Sequence, residues 1–291
     1  MGRLGAERIT VNLVNTEPRL LQFVALNAMS ASALRLEHDG PIARITLCRP
    51  DRGNPIDAAF VAELQSACEA ISDDPGVRVV VLAAEGDSFS RGWDWEALTA
   101  TSEGGSLLEA ARAQGMTNDP FGCLAALAKP VVCAVNGDAT GAGLELAMAC
   151  DIRIAAENAR FSLPELSMGL LPMAGGLQRL ARLVGRGNAL ELALTGGEFD
   201  AVEALRIGLV SAVVPADRLA AEGGAIANRI AERGPIATTY AKEAVSRGID
   251  MPLEQALRFE TDLTIILQTT EDRAEGVRAF LDKRKPEFKG R

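Results

Sequence analysis

Two short alternating segments open the interpretable part of the chain. Residues 33–38 and 42–48 alternate apolar and polar positions on either side of Asp39-Gly40, a dipeptide typical of tight turns. This arrangement predicts a β-hairpin. Residues 57–72 then place apolar side chains at helical spacing, and Asp57 is positioned to cap that helix.

Nearly continuous apolar runs follow, separated by helical patterns. Residues 77–84 and 131–135 are rich in β-branched side chains, which is typical of strands buried on both faces, and residues 151–155 form a shorter candidate. Because strands alternate with helical segments, the sequence predicts a layered α/β core with parallel pairing.

The pattern becomes mainly helical after about residue 186. Only residues 209–214 look extended there, and helical patterns follow at 216–233, 236–247, 252–268 and 271–285. We therefore divide the chain into a mixed core over residues 31–215 and a helical region over residues 216–291. Residues 1–30 are interpreted as an N-terminal extension of unknown role, or as the product of a start codon placed too early.

Composition limits the classes of function. The 291 residues carry 30 Lys and Arg against 39 Asp and Glu, a net charge of −9, which disfavours nucleic-acid binding but permits a small anion on a local basic patch. No apolar run reaches the roughly 18 residues of a membrane span, so no membrane partner is expected. A chain of this length needs neither a disulfide nor a metal in order to fold.

Histidine and cysteine restrict the chemistry further. His38 is the single histidine, so a multi-histidine metal site is impossible and a histidine-based triad has only that residue to use. The five cysteines are widely spaced without a CxxC pair, which argues against zinc and favours a reduced, cytoplasmic protein. We expect no metal site, and acid–base chemistry that comes mainly from carboxylates and backbone dipoles.

The loop over residues 89–94 is the first candidate for chemistry, because loops at strand ends are where α/β proteins bind ligands. Gly92 permits a close backbone approach. Trp93 and Trp95 argue against an ordinary surface loop, since two indoles in water would leave large apolar areas exposed. Taken alone, the pattern leaves a functional loop and a surface loop both open.

The second candidate is the small-residue segment over residues 136–146, which runs from a buried strand into an apolar helix. Backbone N–H groups at such a helix start can hold an oxyanion, and the segment lacks the motifs of nucleotide-phosphate loops. Glu145 lies here in apolar surroundings. It is either a helix-start acid stabilised by the helix dipole or a buried proton carrier with a raised pKa.

Glu165 is the third candidate. It follows Pro164 between apolar residues and lies 165 − 145 = 20 residues after Glu145, an interval that accommodates a strand and a turn. Two facing carboxylates beside aligned N–H donors would form an acid–base device around a polarised carbonyl. Spacing alone leaves open whether the two acids face each other.

Several segments together resemble the crotonase superfamily, the enoyl-CoA hydratase/isomerase family, over about residues 34–291. They are residues 45–50 with Asn54, residues 89–94, residues 136–151, Pro164-Glu165, residues 175–180 and residues 279–286. The resemblance implies an α/β fold with a crotonase-like ββα spiral core and a C-terminal helical oligomerisation region. It also implies homotrimers, often paired into hexamers, and an enoyl-CoA hydratase-type lyase that adds water across the 2,3 double bond of an acyl-CoA thioester.

The same resemblance assigns catalytic roles. The backbone N–H groups of Trp93 and Ala142 would bind the thioester oxygen, while Glu145 accepts a proton from water and Glu165 delivers one to the α carbon. No metal or redox cofactor is implied, because coenzyme A enters as part of the substrate. Double-bond isomerisation, C–C or thioester hydrolysis, and acyl-CoA binding without turnover remain as alternatives on the same fold.

Substrate contacts are expected from residues in both loops and near the C-terminus. They are Arg91, Trp95, Gly141, Phe280 and Lys283, of which the last two match positions that often contact coenzyme A from a neighbouring subunit. Residues 276–291 carry six Lys and Arg against two acids, so this segment is either a basic patch for coenzyme A phosphates or a solvated basic tail.

The first loop departs from the family pattern, which has small residues where this chain has Arg91 and Trp93. Arg91 pairs either with a substrate carboxylate or with Asp87 or Asp94. The indoles of Trp93 and Trp95 either shape the acyl site or point into the core. Ala142 also replaces a usual glycine, although none of these changes removes a backbone N–H donor.

Overall fold

Two β-sheets organise the structure, a computed structural model that describes residues 32–100 and 119–291. The strands are β1 (Leu34–Asp39), β2 (Ile42–Leu47), β3 (Val79–Ala84), β4 (Ser88–Ser90), β5 (Val131–Val135), β6 (Asp138–Thr140), β7 (Ile152–Ala156), β8 (Arg160–Ser162), β9 (Phe199–Asp200) and β10 (Ala212–Val214). One sheet has the spatial order β1-β2-β3-β5-β7-β10 and the other β4-β6-β8-β9. Both belong to a unit that runs from Ala33 to Arg291. The predicted extension over residues 1–30 lies outside the described residues.

Helices connect the strands and then dominate the C-terminal part. They are α1 (Ala58–Asp73), α2 (Trp95–Ala100), α3 (Gly122–Ala125), α4 (Ala142–Met148), α5 (Gly176–Thr195), α6 (Ala201–Arg206), α7 (Leu219–Ala231), α8 (Pro235–Gly248), α9 (Leu253–Leu267) and α10 (Glu271–Leu281). The last helix ends at Leu281 and not at residue 285, because Lys283 adopts a left-handed φ of 53° that a helix cannot continue through. No helix in the described ranges is both long and apolar enough to cross a membrane.

The predicted hairpin is confirmed. β1 and β2 pair antiparallel, with Leu36 opposite Ile45, and the turn between them contains Gly40 at a φ of 55°. The predicted cap of the first helix is also present, since the Asp57 carboxylate accepts the N–H of Phe60 at 2.8 Å.

The central strands of the six-stranded sheet are parallel and covered on both faces, as their continuous apolar runs predict. Side chains alternate across a strand, so Val80 and Leu82 of β3 belong to the larger core whereas Val79 and Val81 belong to a smaller cluster. That smaller cluster includes Ala227 of α7, so α7 packs against one face of the sheet.

The second sheet was not predicted. Its strands have two or three residues each, too few for a periodic pattern. β4, β6 and β8 are parallel neighbours, and β9 pairs antiparallel with β8. Because parallel strands end at the same edge of a sheet, the three segments that leave β4, β6 and β8 lie side by side.

Candidate active site

The three segments leaving β4, β6 and β8 are the three candidates for chemistry. Residues 91–94 follow β4, Gly141 and Ala142 follow β6, and Pro164-Glu165 follows β8. Gly92 brings the first two segments together: a Cβ at this position, where φ is 88°, would lie 2.7 Å from Thr140 O and 3.2 Å from Ala142 N.

Two backbone N–H groups at this edge make no hydrogen bond to a backbone carbonyl of the described residues. The bridge between Ile56 and Trp93 uses the carbonyl of Gly92 and the N–H of Asp94, so the N–H of Trp93 points away from it. Ala142 is the first residue of α4, where a helix has no internal acceptor for the N–H. Within the described ranges, neither group donates to a backbone carbonyl.

Glu145 is fully buried on α4. Its Oε1 atom accepts two backbone N–H groups, from Ala174 at 2.8 Å and from Gly176 at 2.7 Å. Its Oε2 atom is buried and has no hydrogen-bond partner among the described residues. One oxygen of the carboxylate is therefore fixed by the protein, while the other remains available for a ligand.

Glu165 shows the same division. The residue is 1% exposed, and a Cβ on Gly141 would lie 2.5 Å from its Oε1 atom, so glycine makes room for the carboxylate. The Gly141 N–H donates to Ser162 O at 2.9 Å, which holds the β6 end against the β8 end. The Oε2 atom of Glu165 is buried without a hydrogen-bond partner.

Burial changes the proton affinity of both acids. Loss of solvation raises the pKa of Glu145 to about 7, against the opposing effect of the N–H groups of Gly176 and Ala174. The negative charge of Glu165 raises the pKa of Glu145 further, so the two carboxylates are close enough to repel. Burial raises the pKa of Glu165 as well. The interpretation of Glu145 as a buried acid with a raised pKa is therefore confirmed, and its place in the first turn of α4 does not offset the effect of burial.

The indole of Trp93 points into the core. Trp93 is 5% exposed and stacks on Phe121, with ring centroids 6.3 Å apart and planes at 15°. Its Nε1 atom is buried without a hydrogen-bond partner. Trp95, at the start of α2, is partly buried against the same core. The expectation of an ordinary surface loop is wrong for these two residues.

Arg91 does not form the local salt bridge considered from the sequence. Asp94 is instead bound by Arg52, at 2.8 Å between Nη2 and Oδ2, and Arg91 is exposed. Among the described residues, no ion pair of Arg91 occurs with Asp87 or Asp94. The aliphatic part of the Arg91 side chain lies against Gly53, whose added Cβ would be 2.7 Å from Cδ.

Phe280 and Lys283 are far from the two glutamates in the sequence, and both residues lie on the surface. Phe280 is 83% exposed near the end of α10, and Lys283 follows that helix. The neighbouring basic residues are partly neutralised: Arg284 binds Glu275 at 2.6 Å and Arg291 binds Glu271 at 2.9 Å. The C-terminal segment is thus less basic than its count of Lys and Arg suggests.

The groups that hold Glu145 are not evident from the sequence. Gly175-Gly176 stands out there only as part of the family resemblance, yet a Cβ on Gly176 would lie 2.7 Å from Glu145 Oε1. The separations of 29 and 31 residues between Glu145 and its two donors hide the contact from any local pattern. Over the described residues, no cluster of three His, Cys, Asp or Glu side chains is arranged to hold a metal ion.

Comparison with known proteins identifies the family of this chain. The family model described as enoyl-CoA hydratase/isomerase matches residues 37–291. The crotonyl-CoA hydratase of Syntrophomonas wolfei is 39% identical over 261 residues, which cover 89% of this chain and 99% of that protein. The short-chain-enoyl-CoA hydratase of Clostridium acetobutylicum is 39% identical over 265 residues, covering 90% of this chain and 100% of that protein.

A solved structure shows the same fold. The enoyl-CoA hydratase of Bacillus anthracis superposes with a TM-score of 0.84 at 38% identity, covering 89% of this chain and 100% of that one. The predicted fold class, a crotonase-like α/β core followed by a helical C-terminal region, is confirmed. The chain belongs to the enoyl-CoA hydratase/isomerase family.

Proposed function

We propose that this protein is an enoyl-CoA hydratase, a lyase that adds water across the 2,3 double bond of an enoyl-CoA thioester. One observation carries the proposal. Within residues 32–100 and 119–291, two buried carboxylates each present one unpartnered oxygen, beside two backbone N–H groups that have no backbone acceptor. Buried polar atoms without partners are costly unless a ligand satisfies them. A water molecule between the acids and a thioester oxygen at the amides would satisfy all four groups.

The proposed chemistry requires Glu145 to be ionised and Glu165 to be neutral when the substrate binds. Ionised Glu145 removes a proton from the bound water as the water oxygen bonds to the β carbon. The electrons of the double bond then move toward the carbonyl, and neutral Glu165 gives its proton to the α carbon. The product gains one water overall, and proton exchange returns Glu145 to its ionised form and Glu165 to its neutral form before the next turnover. Proton transfer of this kind contributes roughly 10²–10⁴-fold to the rate.

The N–H groups of Trp93 and Ala142 would stabilise the enolate-like charge on the thioester oxygen. A single donor of this type contributes on the order of 3 kcal/mol to the transition state. Because both donors are main-chain groups, the Arg91, Trp93 and Ala142 side chains leave this function intact. The scheme uses no metal or redox cofactor, since coenzyme A is part of the substrate.

Substrate recognition is proposed for residues around the two loops and the C-terminus. Gly141 permits the approach of Glu165, and Arg91 and Trp95 flank the first N–H donor. Phe280 and Lys283 would meet coenzyme A from a neighbouring subunit. The large exposed apolar surface of Phe280 supports that role, because an isolated subunit would leave it in water.

A homotrimer or a dimer of trimers is proposed for the same reason. Large apolar side chains are exposed on α8, on α9 and in the turn between them, namely Val245, Ile249, Leu253, Leu257 and Ile265. We expect another copy of this chain to cover them. Light scattering after size-exclusion chromatography should give three or six times the monomer mass, and a monomer would contradict the proposal.

A cytoplasmic location is supported by the five free cysteines.

Product analysis tests the proposed reaction. Incubation of a short 2-enoyl-CoA in ¹⁸O-labelled water should place the label on the β carbon. Glu145→Gln and Glu165→Gln should each lower the rate by at least about 10²-fold, whereas Glu157→Gln, on an exposed position, should not. Migration of the double bond or release of free coenzyme A would instead indicate isomerase or hydrolase activity. Full activity in both glutamate variants would refute the assigned roles.

A further inference from the structure

The segment that holds Glu145 is itself held by a side chain from α5. The Nη1 atom of Arg179 donates to the carbonyl of Ala174 at 2.8 Å. Its Nη2 atom binds both carboxylate oxygens of Asp119, at 2.9 and 2.7 Å. A guanidinium bound at both ends in this way has little freedom to rotate.

Two adjacent glycines separate this guanidinium from the buried carboxylate. A Cβ on Gly175 would lie 2.6 Å from Arg179 Nη1, and a Cβ on Gly176 would lie 2.7 Å from Glu145 Oε1. Within the short segment Ala174–Gly176, Gly175 therefore lies against the Arg179 guanidinium, and Gly176 lies against the Glu145 carboxylate. The segment's carbonyl at Ala174 accepts from Arg179, while its N–H groups donate to Glu145.

We propose that Arg179, anchored by Asp119, is a positioning residue for Glu145. It fixes the Ala174 carbonyl, and with it the two N–H groups that hold Glu145 Oε1, so that Oε2 stays directed at the reacting water. This inference rests on the proposed hydratase function.

Charge gives the arrangement a second effect. Among the described residues, the charge of Glu165, from the turn after β8, raises the pKa of Glu145, and the charge of Arg179, from α5, lowers it. Asp119 partly neutralises Arg179. Removal of the Arg179 charge should therefore raise the pKa of Glu145, and removal of the Asp119 charge should lower it. A purely structural role for the ion pair would not shift the profile in opposite directions.

The test compares the pH dependence of kcat/KM for hydration of crotonyl-CoA. Arg179→Gln should lower kcat about 10- to 100-fold with little change in KM, and it should move the acid limb to higher pH. Asp119→Asn should move that limb to lower pH. Arg179→Lys keeps the positive charge but cannot bind Ala174 O and Asp119 at the same time through a planar guanidinium. The acid limb of the pH profile should therefore stay near its wild-type position, while kcat still falls. Arg182→Gln is the matched control, because Arg182 lies on the same helix and binds Asp250 at the surface.

The outcomes separate the inference from the proposed function. Inactive wild-type protein would refute the hydratase proposal. The titration of Glu145 would then be measured by infrared spectroscopy, as the difference in carboxyl absorption between the wild type and Glu145→Gln. Unchanged acid limbs or unchanged infrared titration in Asp119→Asn and Arg179→Gln would overturn the inference. If Arg179→Gln does not fold, Asp119→Asn and Arg179→Lys decide the question.

Discussion

Replacing Glu145 with Gln should change how the stability of the protein depends on pH. In the unfolded chain this carboxyl group titrates at its ordinary pKa of 4.5, whereas burial raises its pKa in the folded protein to about 7. Between these values the folded state retains a proton that the unfolded state releases. The contribution of Glu145 is therefore most favourable below the unfolded pKa, and it is lost progressively as the pH rises through the folded pKa.

The size of the effect follows from the two pKa values. The difference between 4.5 and about 7, at about 1.4 kcal/mol per pH unit, corresponds to about 3 kcal/mol in the free energy of unfolding. Wild-type protein should lose this amount between pH 4.5 and pH 8 because of Glu145, in addition to the changes caused by other groups. Glu145→Gln cannot titrate, so its free energy of unfolding should gain about 3 kcal/mol relative to wild type over the same range.

Urea unfolding at a series of pH values measures this difference. Protein concentration must be constant, because an oligomer gains stability with concentration. Glu157→Gln serves as the control, since it removes an exposed carboxyl group where Glu145→Gln removes a buried one. If the Glu145→Gln and wild-type curves run parallel within about 0.5 kcal/mol, Glu145 does not have a raised pKa, and the reasoning from burial is refuted.

Three further predictions follow from the same contacts. The kcat/KM of the wild type should fall about tenfold per pH unit below pH 7, as Glu145 becomes protonated, and pH–rate measurements on crotonyl-CoA check this. Gly176→Ala should displace the Glu145 carboxylate and lower kcat about 10²-fold in steady-state assays, whereas Gly187→Ala, which meets open space on the same helix, should leave kcat unchanged. Phe121→Ala should remove the stack under Trp93 and lower the free energy of unfolding in urea by about 3–5 kcal/mol.

Elements with strong local signals were predictable from the sequence. The Asp39-Gly40 turn, the Asp57 cap and the β-branched run at Val131–Val135 each depend on a few consecutive residues. The strands β4, β6 and β8 have no such signal, because three residues carry no measurable period. These short strands nevertheless set the candidate site, since they gather its loops along one edge.

Side-chain partners distant in sequence were the other part that could not be predicted. Proximity in the chain favoured a pair between Arg91 and Asp94, but Asp94 binds Arg52, which lies 42 residues away. The direction of the Trp93 indole likewise depends on Phe121, on the far side of residues 101–118. Both contacts arise from tertiary packing, which local propensity does not encode.

The glycines of the candidate site leave space for neighbouring groups. The close backbone approach predicted at Gly92 is confirmed, because a Cβ there would lie 2.7 Å from Thr140 O. In residues 136–146 the sequence predicts exposed N–H groups, and Ala142 shows that a Cβ is compatible with that role. A Cβ on Gly141 or Gly176 would lie within 2.7 Å of Glu165 Oε1 or of Glu145 Oε1, respectively. These glycines are required because a second backbone or a buried carboxylate occupies the space of their missing side chain. Gly141 and Gly176 thus mark the positions where the two buried carboxylates pack against the backbone. This close packing excludes the solvent that would otherwise keep the pKa values of the two acids low.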